Sequence, residues 1–407
     1  MSIRGSIRFQ VISARVTHQL KNFSQETPPP DARKTLRKFA MREAADFLKI
    51  NYSTFRHYIS TLSDRIPTGE MDKSNRRHFT AEEINEIQRF LFEEGKIDPK
   101  TYPRRQGDEP CVAITCFNPR KGSGTSSLSA HTAVSLALMG YRVLSCDLDP
   151  QATLTNMFGV TSELDLDMPT AYDMIRNEAP VLARDVIQKT CVPNLDLIPA
   201  SINVLGFEYE TALSSRDPTL VAHALRPVLP NYDVVIFDTP PQLSFAVTAA
   251  LFASRGVLIP LNASMPNVMS LASFLSMAGN LMEVAETHAP EHGFDFVKIL
   301  ITRYDATDLP QGQMASFLRT VLGGSVMATE FVTSTVIGDA ATTKQTLFEV
   351  EPRGVNRKIY DRAIESISRI TTEVEAEIRK ARNKRDDFPA AFRAARATIP
   401  QDLDIES

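Results

Sequence analysis

From residue 111 onward, short unbroken apolar runs alternate with stretches of helical period. The runs are 111–117, 143–148, 195–199, 233–238, 256–261 and 296–301. Runs this short and continuous read as strands covered on both faces. Between the first two, residues 127–139 repeat their apolar positions at helical spacing. The alternation predicts an α/β fold, with a doubly wound, mostly parallel sheet and helices on both faces. Near the C-terminus, Tyr360, Ala363, Ile364, Ile367, Ile370 and Val374 form the buried stripe of a long helix.

Residues 31–98 follow a different pattern, helical and locally basic. Residues 39–48 make an amphipathic helix, Lys49-Ile50-Asn51 a turn, and Tyr52 opens a second helix. Those are helix-turn-helix proportions. Ser53, Thr54, Arg56 and His57 fall near the start of the second helix, where base and phosphate contacts are made. Arg76 and Arg77 lie in a basic loop after it, and Thr80 and Glu83 form a capping box for a third helix carrying Ile84, Ile87 and Leu91. The arrangement resembles MerR-like and winged-helix domains. The expectation is an N-terminal helical winged-helix/helix-turn-helix domain that binds DNA. A helical dimerisation cap with a solvated basic face fits the same pattern and stays open. Arg33, Lys34, Arg37 and Lys38 precede the first helix and are placed to hold phosphates.

The domain plan that follows is a flexible arm at 1–30, a DNA-binding domain at 31–98, a linker at 99–110, the sheet domain at 111–384 and a polar tail at 385–407. A length of 407 residues gives room for this. The net charge of −4 excludes a molecule that is basic throughout, so any DNA contact must come from a local patch. No apolar run is long enough to span a membrane and no secretory apolar segment is read at the N-terminus, so a cytoplasmic protein with no membrane partner is expected. Cys111, Cys116, Cys146 and Cys191 lack zinc-site spacing and read as core thiols in a reducing compartment.

The chemistry concentrates in residues 117–127, Phe-Asn-Pro-Arg-Lys-Gly-Ser-Gly-Thr-Ser-Ser. A strand, a glycine-containing turn and a helix in that order make a phosphate cradle. Gly122 and Gly124 let backbone N–H groups approach an anion, Ser126 offers a hydroxyl to Mg2+, and the helix N-terminus adds partial positive charge. Asp147 and Asp149 follow the strand Val143–Cys146, and Asp238 ends the run 233–238. Carboxyl ends of parallel strands are where such sheets bind ligands. Three carboxylates there are costly unless a cation or hydrogen bonds compensate. Any one of them alone also fits a helix-capping role.

These strings resemble the ParA/MinD-like deviant Walker ATPases, in particular the RepA partition proteins of RepABC-type plasmids. That family reads K-G-G-x-G-K-[ST]-[ST], then D-x-D-P-Q, then D-x-P-P. Asp147-Leu148-Asp149-Pro150-Gln151 and Asp238-Thr239-Pro240-Pro241 match the second and third strings. The likeness continues in Leu300-Ile301-Thr302-Arg303-Tyr304 and in Thr343-Lys344-Gln345-Thr346-Leu347-Phe348-Glu349. The resemblance implies a P-loop NTPase-like fold, ATP and Mg2+ as cofactors, and a homodimer that binds operator DNA and nonspecific DNA on the nucleoid. It also implies a centromere-binding ParB/RepB-type partner and repression of its own operon. By this resemblance Lys121, Gly122, Ser123, Gly124, Thr125, Ser126 and Ser127 would line the nucleotide. Ser126 would ligate Mg2+, Asp238 would hold the metal's water shell, Asp149 would position the attacking water, and Asp147 would support that region. Arg303, Arg319 and Lys344 would contact DNA without sequence preference.

The departures fall in the first string. Thr125 stands where the family has its phosphate-loop lysine, Lys121 where it has the first glycine, and Arg120 where it has the lysine that reaches the partner's site. Losing such an electrostatic contact costs on the order of 3–4 kcal/mol in the transition state. Two outcomes stay open: ATP binding with impaired hydrolysis, and a non-enzymatic transcriptional repressor on a degenerate ATPase scaffold. The basic cluster Arg379, Lys380, Arg382, Lys384 and Arg385 offers either a second DNA surface or a hydrated helix end.

Overall fold

The computed structural model describes residues 34–161, 168–176, 178–213, 217–286 and 293–383, with 7, 10–16 and 18–19. Most of the expected 1–30 arm and all of the 385–407 tail, with Arg33, Lys384 and Arg385, lie outside the described residues. The N-terminal unit opens with β1 (Phe39–Ala40), α1 (Met41–Phe47) and α2 (Tyr52–Thr61). A hairpin, β2 (Glu70–Met71) and β3 (Arg77–Phe79), follows, then α3 (Ala81–Glu93). β3 pairs with both β1 and β2, antiparallel to each, a three-stranded sheet that the helical reading of 31–98 did not include. The capping box at Thr80 and Glu83 forms as the sequence predicts.

The apolar runs become β4 (Val112–Cys116), β5 (Val143–Asp147), β7 (Leu195–Ile198), β8 (Val234–Asp238), β9 (Gly256–Asn262) and β10 (Phe296–Tyr304). Two short strands, β6 (Gln188–Lys189) and β11 (Phe331–Val332), complete the sheet. The order is β11-β10-β9-β4-β8-β5-β7-β6, parallel except for β6. Side chains alternate across it. Val112, Ile114 and Cys116 enter one layer with α4 (Thr125–Leu138) and the long C-terminal helix (Arg357–Asn383). Cys111, Ala113, Leu144, Cys146 and Phe237 face the opposite layer. Helix α4 is buried on nearly every side from Leu128 to Leu138, because the sheet covers one flank and the C-terminal helix the other. Among the described residues no helix is long and apolar enough to cross a membrane.

The N-terminal unit packs into the first of these layers. Phe39, Phe55, Phe79, Ile84, Ile87 and Leu91 share one continuous core with Tyr141, Ile367, Val374 and Ile378. Polar contacts reinforce the seam. Gln88 Nε2 donates to Met139 O at 2.8 Å, capping the far end of α4. Lys49 pairs with the buried Glu375, which also accepts from Tyr141 Oη at 2.8 Å. The stretch 99–110 is fastened as well. Tyr102 stacks on Phe92 with ring centroids 3.7 Å apart, and the Arg105 N–H donates to Asp233 Oδ1 at 2.9 Å.

Several basic residues read as phosphate holders serve inside the fold instead. Lys34 is buried and donates to Glu349 Oε2 at 2.9 Å and to Met157 O at 2.6 Å. Arg37 is buried against Tyr360 Oη, 2.8 Å away, and pairs with Glu43. Arg379 donates to Lys100 O and Thr101 O, and Arg382 to Pro103 O at 2.7 Å. Two members of the C-terminal cluster are therefore committed to the 99–110 stretch. Burial of long basic side chains requires such partners, and a local charge count cannot reveal them.

His131, inside α4, donates through Nδ1 to Ser127 O at 2.7 Å and accepts the Leu347 N–H at Nε2, 3.2 Å away. Burial pushes its pKa down to about 4. An unfolded histidine titrates at about 6.5, so protons are taken up on unfolding across the window between those values. The folded state therefore loses stability as pH falls, by about 2 kcal/mol between pH 7 and 5. Denaturant midpoints at the two pH values should show a smaller shift in His131→Gln than in the parent chain.

Candidate nucleotide-binding site

The site forms where β4 gives way to α4. Asn118 pins the start of the loop, donating to Pro260 O at 2.5 Å and accepting the Arg120 N–H at 2.7 Å. Gly122 and Gly124 then adopt φ of 80° and 93°, the left-handed region where a side chain is disfavoured. Gly124 is the N-cap of α4 and brings no side-chain acceptor, so the first N–H groups of the helix are uncapped by side chains. Such groups converge on an anion. Thr302 Oγ1, near the end of β10, donates to Ser123 O at 2.8 Å and ties that strand to the loop. Thr125 Oγ1 lies 3.0 Å from Ser123 Oγ.

The carboxylates stand beside this loop because β5 and β8 pair in register, Asp147 opposite Asp238. Asp147 is fully buried and satisfied by three donors: Thr155 N–H at 2.9 Å, Thr155 Oγ1 at 2.7 Å and Asp149 N–H at 3.0 Å. It organises the turn after β5. Asp238 Oδ1 accepts from Ser129 Oγ at 3.1 Å, and the nearby Ser126 hydroxyl acts to lower the pKa of the carboxyl. Its Oδ2 is buried with no hydrogen-bond partner. Burial, then the charge of Asp147, pushes the Asp238 carboxyl well above its ordinary range. Asp149 accepts the Gln151 N–H at 2.9 Å; burial raises it, and the Lys121 charge acts in the opposite direction.

An orphaned buried carboxylate oxygen beside a serine hydroxyl at the foot of a glycine loop fits a hydrated divalent cation. Among the described residues no three His, Cys, Asp or Glu side chains are grouped to hold a metal unaided. A metal here would need phosphate oxygens to complete its shell. Ser129, Thr155, Thr302 and Asn118 were not singled out from sequence. Ser129 lies three residues after Ser126 on the same helix face, a usable signal. Thr302 falls within the family-like string 300–304, but its bond to Ser123, 179 positions away, gave no separate signal.

The other expected residues are distributed as follows. Arg56 of α2 shares one groove with Arg42, Tyr52, Asn75, Arg76 and Arg77. Ser53, Arg56, His57 and Arg76 are exposed, and Thr54 is half-buried. Arg77 Nη1 is held by Thr68 O at 2.6 Å. Arg42, Tyr52 and Asn75 were not foreseen. Arg303 and Lys344 do not line that groove: Arg303 leans over Gly122, and Lys344 Nζ donates to Asn156 Oδ1 at 3.0 Å.

An AAA domain model matches residues 112–288, which include the loop and all three aspartates. A replication protein A of Sinorhizobium fredii is 35% identical over 88% of this chain and 90% of its own length. Another from Rhizobium rhizogenes is 36% identical over 89% and 91%. The sporulation initiation inhibitor protein Soj of Bacillus subtilis is 28% identical over 61% of this chain and 94% of its own. A solved partition protein shares the fold with a TM-score of 0.63 at 17% identity, covering 94% of this chain and all of that one. The chain therefore belongs to the ParA/MinD-like deviant Walker ATPases, together with the rhizobial replication A proteins.

Proposed function

We propose that this chain is a plasmid partition protein that binds ATP with Mg2+ in the loop 120–127. The relatives named for partition and replication support the role, and the unpartnered Asp238 Oδ2 beside Ser126 carries the metal-nucleotide reading. In this reading the uncapped N–H groups of α4 and the glycine turn grip the phosphates. Ser126 would ligate Mg2+, and Asp238 would hold its water shell. Bound Mg2+ would screen phosphate charge. Asp149, at the mouth of the turn, orients the attacking water, while Asp147 keeps that turn in shape. Thr125 brings no charge to the phosphates, so hydrolysis is impaired. Arg120, exposed at the loop, is available to a second copy in a nucleotide-bound homodimer.

The N-terminal unit reads operator DNA as a winged helix. Ser53, Thr54, Arg56 and His57 present to the major groove, and Arg76 and Arg77 to the flanking backbone. Binding there represses the protein's own operon, Lys344 adds nonspecific DNA contact, and a ParB/RepB-type protein is the partner.

One experiment tests this reading. ATP affinity is measured with Mg2+ and with EDTA, followed by DNA binding under both conditions. Chelation should weaken ATP binding about tenfold or more, and ATP with Mg2+ should promote DNA binding that ignores sequence. A chain that takes up no ATP at millimolar concentration and binds its operator regardless of nucleotide is a repressor only.

A further inference from the structure

We propose that Arg303 supplies the positive charge that the phosphate loop lacks at Thr125. The proposal rests on the nucleotide-binding reading above and names the residue that makes it workable. Three cations stand near the loop. Arg120 is exposed, with only its backbone N–H held by Asn118. Lys121 is exposed, and its charge acts on Asp149. Arg303 is exposed as well but differs from both in how its backbone is held. The preceding residue, Thr302, is tethered to Ser123 O at 2.8 Å, so the backbone beside Arg303 is fixed to the loop.

Arg303 itself has φ of 51°, an uncommon conformation for a residue with a bulky side chain and one that persists where the surroundings hold it. Its guanidinium is thereby directed over the glycine turn. A Cβ placed on Gly122 would lie 3.9 Å from Arg303 Nη2, and among the described residues no other heavy atom beyond the loop's own neighbours comes within 4 Å of that point. The guanidinium roofs an otherwise open face of the cradle. Among the described residues it has no hydrogen-bond partner. A planar, permanently charged fork above a ring of backbone N–H groups matches phosphate oxygens in geometry and sign. Arginine reaching in from β10 approaches from a different direction than a lysine on α4. It therefore serves the bound phosphates rather than restoring the lost transition-state contact in full.

DNA phosphate shares this chemistry, and the test separates the sources. Full-length wild type, Arg303→Ala, Arg303→Lys, Thr125→Lys and the Thr125→Lys/Arg303→Ala double variant are titrated calorimetrically with Mg-ATP and with inorganic tripolyphosphate, without DNA. Thermal melting of each variant reports folding. Arg303→Ala should weaken both ligands together, by about ten- to a hundredfold. Arg303→Lys should retain part of the affinity, and Thr125→Lys should restore most of it in the double variant. Loss of ATP affinity with tripolyphosphate unchanged assigns Arg303 to the base or sugar and overturns the proposal. Unchanged affinity for both, with weakened DNA binding, makes it a DNA contact and also overturns it, while the nucleotide reading stands. Wild type that binds neither ligand defeats both.

Discussion

Thr125→Lys should raise ATP turnover by about a few hundredfold over the parent chain, measured as phosphate release with Mg2+ present. The expectation follows from where Thr125 sits. It is the first residue of α4, partly exposed, with a hydroxyl that reaches no further than Ser123 Oγ. A lysine at that position, at the start of the helix, would meet charge that builds during phosphoryl transfer. Arg303 does not forestall the gain, because a guanidinium fixed above Gly122 steadies the ground state from the opposite rim. Equal turnover in the two proteins would show that the missing lysine does not limit hydrolysis.

Asp233→Ala should cost about 3–5 kcal/mol of folding stability, read as a lowered denaturant midpoint with an unchanged slope. Asp233 is wholly buried and sits at the centre of an arginine cluster. It accepts Arg142 Nε at 3.0 Å, Arg142 Nη2 at 2.9 Å and the backbone N–H groups of Arg105 and Arg142. Arg382 Nη2 lies 3.9 Å from its Oδ1 and donates to its carbonyl at 3.2 Å. Removing the carboxylate leaves three guanidiniums with one compensating charge fewer. Arg142 and the other donors hold the Asp233 pKa below its ordinary value against the opposing effect of burial. That contribution is present above the unfolded carboxylate range and is lost as pH falls through the folded value. A loss under about 1 kcal/mol would show that water replaces the carboxylate at little cost.

Much of the sheet was legible because continuous apolar runs have few other uses. Strands β4, β5, β7, β8 and β9 begin and end within a residue or two of the expected runs. β10 runs on to Tyr304 because its last residues pair beside β11, which is too short to show a pattern of its own. The carboxylates could be located from sequence because each sits at or just past the end of a strand. Their division of labour could not. Asp147 is satisfied by Thr155, eight residues on, whereas Asp238 keeps one oxygen unpartnered, and only the packed structure separates them. The fate of Lys34, Arg37, Arg379 and Arg382 was equally hidden, since beside local pairs such as Arg379 with Glu375 their partners lie between 123 and 323 positions away.

The core that runs without a break from Phe39 through Tyr141 to Ile378 has a consequence for how this molecule can be taken apart or rebuilt. Its front and rear portions do not behave as beads on a thread. Severing the backbone at 99–110 would strand matching halves of one oily interior in water, and would part Gln88 from Met139 and Glu375 from Lys49. Swapping the amino-terminal portion for that of a cousin would demand a matching change in the surface it seats upon. A substitution on either side of that shared interior is therefore felt by the other side, and the two portions stand or fall together on unfolding.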